Sequence, residues 1–149
     1  MDFEDRIILA LFNDMNTPRE IAKRLNMSKE FVKKTLDKLE LEGFVKKRIV
    51  GTLFKKEVYE LTEKGYDRAL KLKGKLEDIA REFKRAYESD DRERLESLYR
   101  EYRSLIPLMI LMNMFELAWL GLIFSDLYDF DFYEESYEDM DFDFDDIGF

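Results

Sequence analysis

Apolar residues recur along this chain with a helical spacing that gives way once to strand-like alternation and then returns. Residues 3–14, FEDRIILALFND, place Phe3, Ile7, Ile8 and Leu11 on one helical face, with Leu9 and Phe12 widening it. A face that wide covers a core and has room for a partner subunit as well. Between Thr17 and Gly43 the pattern predicts two short helices joined by a tight turn. Thr17 is placed to cap the first, Pro18 suits a position that has no amide to donate, and Glu20 completes a capping box. Ile21, Ala22 and Leu25 form its buried stripe, leaving Arg19, Lys23 and Arg24 outside. Asn26-Met27 breaks the pattern, and Ser28 caps a second helix with Glu30 in its first turn, where a negative charge suits the helix dipole. There Val32, Leu36, Leu39 and Phe31 form the inward stripe, Lys29, Lys33, Lys34, Asp37 and Lys38 point outward, and Gly43 is the stop.

Two β-branched and aromatic runs follow, FVKKRIVG and, past a turn at Gly51-Thr52, FKKEVYELT; their alternation predicts a hairpin carrying Lys46, Lys47, Arg48, Lys55 and Lys56. Thr62 caps a long helix whose apolar residues Leu70, Leu76, Ile79, Ala80, Phe83 and Tyr87 recur at three- and four-residue spacings. Ser89-Asp90-Asp91 interrupts it and offers a fresh cap, after which Leu95, Leu98, Tyr99 and Tyr102 mark another amphipathic segment.

Leu105 to Phe124, LIPLMILMNMFELAWLGLIF, is the most hydrophobic stretch, interrupted by only two strongly polar side chains, Asn113 and Glu116. Three readings compete: a helix buried between two subunits, a membrane span, and a core helix of a monomer. The length suits a span, and Arg100 and Arg103 before it would favour a cytoplasmic N-terminus. A carboxylate and an amide near the middle of a lone span are costly, however. Burial in a homodimer core is the reading adopted.

Charge changes the picture more than composition does. The net charge of −9 conceals a segregation: residues 1–75 hold 18 basic and 13 acidic side chains, whereas residues 104–149 hold 12 acids and no base. The two ends attract each other, as expected when a basic surface binds nucleic acid and an acidic tail competes for it or recruits a second partner. The chain has no cysteine and no histidine, which removes thiolate chemistry, the usual general base and the commonest metal ligand; an enzyme is not expected, and no cofactor or metal is implied. No signal peptide is evident at the N-terminus, so a cytoplasmic protein is expected. Glutamine is absent while Lys, Arg and Glu abound, a balance similar to that of hyperthermophile and archaeal-like proteins.

The tail, SDLYDFDFYEESYEDMDFDFDDIGF, sets aromatic residues among eleven acids. So charged a segment cannot build a core of its own and is expected to be disordered in isolation. A solubility device has no use for the aromatics, which suit docking on a basic surface with apolar pockets.

The two close helices, the second basic outside, fit helix-turn-helix geometry and read as a DNA-binding unit. Here the chain resembles the winged helix-turn-helix regulators of the MarR and PadR type: REIAKRLNMSKEFVKKTLDKLELEGFVKK followed by VYELTEKG matches that family's second helix, recognition helix, wing and start of the post-wing helix in order. The resemblance covers roughly the first half of the chain and implies a mainly α fold with a small β-hairpin wing, a winged helix-turn-helix domain over residues 1–74. The residue pattern beyond it is read as a helical dimerisation region over 75–125 and an acidic aromatic tail over 126–149 that follows the long C-terminal helices, and together these readings suggest a homodimeric transcriptional regulator. Ser28, Lys29, Lys33, Lys34 and Lys38 would enter the major groove, and Lys46, Lys47, Arg48, Lys55 and Lys56 would contact phosphate. The reading helix offers no Arg, Asn or Gln for bidentate base contacts, so low sequence specificity is expected.

The last residues, Asp143-Phe144-Asp145-Asp146-Ile147-Gly148-Phe149, resemble the acidic tip of bacterial single-stranded DNA-binding proteins, with one Asp fewer and Gly148 where that family has proline. There the tip recruits repair and replication enzymes through its terminal phenylalanine and carboxylate. That resemblance assigns Phe142, Phe144, Asp145, Asp146, Ile147 and Phe149 to a protein partner. It opens the alternative of a single-strand-binding or replication hub, beside that of a membrane-anchored regulator.

Overall fold

A computed structural model describes residues 1–115 of the chain. Helices α1 (Phe3–Phe12), α2 (Pro18–Leu25) and α3 (Lys29–Leu41) come first, then strands β1 (Val45–Val50) and β2 (Lys56–Leu61). Helix α4 (Glu63–Glu88) follows, then α5 (Arg92–Tyr102), a 3-10 turn at Arg103–Leu105, and α6 (Ile106–Leu111).

Every N-terminal cap among α1 to α5 is a Ser, Thr or Asp whose side chain accepts a backbone amide three residues on. The acceptors are Asp2, Thr17, Ser28, Thr62 and Asp91. Helix ends share a second device. Asp14, Asn26, Asp90 and Asn113 adopt left-handed backbone with φ of 66°, 54°, 54° and 55°, and Gly43 does so at 84°. The amide that follows each then donates to a carbonyl five residues back: Met15 to Ala10, Met27 to Ala22, Phe44 to Leu39, Asp91 to Ala86 and Met114 to Met109. This is the Schellman closure, which Gly, Asn and Asp accept at small steric cost.

Helix α1 is the centre of the molecule. Ile7, Ile8, Leu9, Ala10 and Leu11 are all buried, because α2, α3, α4, α6 and β2 pack around it. Most of its wide apolar face is thus covered within one chain, while Phe3 at its start stays exposed.

The two strands pair antiparallel, with Val45 opposite Leu61 and Val50 opposite Lys56. The backbone between α1 and α2 lies along the outer edge of β2, where the Tyr59 amide donates to the Asn16 carbonyl at 2.8 Å. The hairpin passes into α4 through a close approach: a Cβ on Gly65 would stand 2.0 Å from the Phe44 carbonyl oxygen. Thr62 ties the junction by donating its hydroxyl to the Gly43 carbonyl at 2.6 Å while accepting the Gly65 amide.

Helix α4 runs without interruption through residue 74, so the boundary expected there falls inside a helix. One apolar core extends from α1 through Leu76, Ala80 and Phe83 of α4 to Leu95 and Leu98 of α5. Three residues placed on apolar faces from periodicity are half outside. Phe3 is 49% exposed at the start of α1, Phe31 is 42% exposed at the edge of its stripe and rests on Phe3, and Leu70 is 44% exposed on α4.

The apolar stretch from Leu105 does not form one long helix. Helix α6 spans only Ile106–Leu111, because Asn113 turns the chain in the same way that Asn26 ends α2. Leu105, Ile106, Leu108 and Met109 are buried in the core they share with α1 and α4, and Phe115 meets Phe83 edge to face at 5.4 Å. The monomer therefore covers the first part of the stretch itself. Among the described residues no helix is long and apolar enough to cross a membrane. The rest of the stretch and the acidic tail lie outside the described residues.

Candidate nucleic-acid interface

Helix α3 is held by its buried side, Val32, Thr35, Leu36 and Leu39, so its other residues must face outward. Lys29, Lys33, Lys34 and Lys38 are all exposed. Spacing by one helical turn puts Lys29, Lys33 and Asp37 in one line, and Lys34, Lys38 and Glu42 in the next. The first line leads to the hairpin: the Asp37 carboxylate accepts the Tyr59 hydroxyl at 3.3 Å, and Glu40 accepts the Lys47 backbone amide at 3.2 Å. The second line leads away to α1. There Lys38 meets Glu4 at 2.5 Å, with Glu42 at 3.9 Å, and its pKa is raised by the hydrogen bond to Glu4 first and that residue's charge second. Ser28 spends its oxygen on the helix cap, accepting the Phe31 amide at 3.1 Å.

The five hairpin cations do not share a face. Alternation along the paired strands puts Lys46, Arg48 and Lys56 on one side and Lys47 on the other, which is the side of the core residues Val45 and Tyr59; Lys55 sits in the connecting loop. Lys46 and Arg48 both reach Glu60, at 3.5 and 3.9 Å. Lys47 lies over the Tyr59 ring, 5.9 Å from its centroid. These are solvent-facing contacts, so they order the side chains more than they consume their charge.

Tyr59 is the piece that pattern reading missed. It is 1% exposed, its amide holds the segment before α2, and its hydroxyl holds α3. Burial first, then the charges of Asp37 and Glu57, push its phenol up to about 12. The aromatic, alternating character of VYEL announced a strand residue; its two partners are remote in sequence and left no local signal.

The acids around α3 alter the charge balance of the surface. Lys29–Leu41 carries four lysines against Glu30, Asp37 and Glu40, whereas Val45–Leu61 carries five cations against Glu57 and Glu60. Twelve consecutive hairpin residues, Val45 to Lys56, hold all five of those cations and no acid. The hairpin is therefore the more positive of the two elements. No cluster of three or more acidic side chains suited to a metal ion occurs among the described residues. The tail residues Phe142, Phe144, Asp145, Asp146, Ile147 and Phe149 lie outside the described residues. Comparison with protein-family models, curated proteins and solved structures finds no match for this chain.

Proposed function

We propose that this chain is a winged helix-turn-helix DNA-binding protein, most simply a transcriptional regulator. In this reading α2 and α3 are the helix-turn-helix, α3 enters the major groove, and the β1–β2 hairpin is the wing. The observation that carries it is the junction of α3 with the hairpin. Tyr59 and Glu40 fix the two elements side by side, so the lysine line Lys29–Lys33 and the acid-free hairpin stretch form parts of one rigid basic body. Two adjoining cationic elements of different shape suit a duplex, whose phosphates flank a groove on both sides. Lysines without Arg, Asn or Gln on α3 suit phosphate contact more than base reading, so sequence preference is weak.

The acidic tail competes with DNA for these cations in this reading, since a tethered segment acts at high effective concentration. Dimerisation is proposed through exposed Leu111 and the apolar residues after it in sequence.

The test is binding of the purified full chain to duplex and single-stranded DNA at several salt concentrations. Alanine at Lys33, Lys34, Lys46, Lys47 and Arg48 is expected to weaken duplex binding and flatten its salt dependence by about 0.9 in log–log slope for each phosphate no longer neutralised. Truncation after Ser125 is expected to tighten binding, most at low salt. An unchanged slope in the alanine variant would remove this surface as the binding site. A clear preference for single strands would instead favour a single-strand-binding hub.

A further inference from the structure

The hairpin ends in an apolar tip that phosphate contact does not explain. Leu53 is 82% exposed, Ile49 62% and Phe54 50%; three of the ten large hydrophobic residues exposed among the described residues thus fall within six consecutive positions. Scattered exposed hydrophobics need no explanation, but a cluster at the end of a projecting element does. Lys46 to Ile49 of β1 are all exposed, and past the buried Val58 and Tyr59 of β2, which sit opposite Arg48 and Lys47, no hairpin residue is buried, so the hairpin projects from the body beyond that level.

The tip is also a built turn. Gly51 has φ of +100°, and a Cβ there would come within 2.2 Å of the Phe54 carbonyl oxygen. Only glycine permits that closure, which holds Leu53 and Phe54 at the far end of the hairpin. Lys55 and Lys56 follow them directly in the chain and Arg48 shares a strand face with Lys56, while Glu57 stands opposite Ile49. Cations beside an exposed apolar point complement a polyanion with flat apolar faces inside it, and a duplex has that chemistry in its stacked bases.

We propose that the hairpin tip is an apolar wedge for duplex DNA: Leu53 and Phe54 enter the minor groove and open a base step, while Arg48, Lys55 and Lys56 hold the phosphates beside it. The proposal rests on the DNA-binding reading above and adds that the protein bends the DNA it binds. Side chains of this type pry base steps apart in minor-groove proteins, and the bend that follows is the measurable consequence.

The experiment uses the full chain and an end-labelled duplex with a central TA step, a step that opens easily. Energy transfer between the ends reports bending, and fluorescence anisotropy reports affinity across a salt series. Wild type is expected to shorten the end-to-end distance. The double variant Leu53→Ser/Phe54→Ser is expected to bind at least about tenfold more weakly and leave the duplex straight, with an unchanged salt slope. Lys55→Ala is expected to flatten the slope by about 0.9 and keep the bend. The substituted residues are exposed, and an unchanged thermal midpoint checks that the fold is intact. A wild-type complex with straight DNA, or a serine variant that bends as fully as wild type, overturns the wedge and leaves the DNA-binding reading standing. Tighter binding by the serine variant also overturns it and assigns the tip to the protein's own acidic tail. Wild type that binds no duplex overturns the underlying reading.

Discussion

Replacing Met109 with alanine tests how the apolar stretch is covered. The side chain has no solvent exposure, and it belongs to α6, which packs against α1 at the centre of the molecule. Truncating a fully buried methionine removes its transfer free energy and leaves a cavity that neighbours refill only in part, a loss of about 2–5 kcal/mol. For a chain of this size each kcal/mol lowers the melting temperature by about 2–4 °C, so the midpoint should fall by roughly 4–20 °C. The assay is urea unfolding followed by circular dichroism, where the variant's curve should move to lower denaturant with its slope unchanged. Leu111→Ala is the companion. Its side chain is 37% exposed, so the unfolding free energy should change by less than about 1 kcal/mol while sedimentation shows weaker self-association. The reasoning fails if Met109→Ala costs less than about 1 kcal/mol, or if Leu111→Ala costs as much as Met109→Ala in unfolding. Either result would mean that α6 is not seated in the core of its own chain.

The glycines of α4 give an opposed pair. Gly65→Ala drives a methyl into the Phe44 carbonyl and should destabilise by about 1–3 kcal/mol. Gly74→Ala, with no atom within 4 Å of the added methyl, should stabilise the helix by about 0.5–1 kcal/mol in the same unfolding assay. Tyr59 supplies a pH test. Its phenol is raised from 10.0 to about 12 in the folded protein, so its contribution is fully present below pH 10 and is lost as pH rises through 12. An ultraviolet titration of phenolate should show a late-ionising tyrosine that disappears in Tyr59→Phe; loss of an early-ionising one instead would contradict its burial.

Much of this fold is legible in the chain itself, because helix ends are local chemistry. Thr17, Ser28 and Thr62 cap helices as their spacing to the following apolar stripe indicates, and Gly43 closes α3, since a cap needs only the residues within one turn. The stop at Asn113-Met114 is written in the same dipeptide as Asn26-Met27. It is outweighed by the length of the hydrophobic run around it, a property that says how much surface must be buried and not what buries it. Packing settles that question for Leu105 to Met109 by bringing α6 back onto α1. Packing also decides which lysines have acidic partners. Nothing near Lys38 in sequence announces Glu4, which lies 34 residues away, and nothing near Tyr59 announces Asp37 or Asn16. Local sequence set the elements and placed the cations on them; the distances between charges on different elements, and hence the shape of the basic surface, came only from how those elements pack.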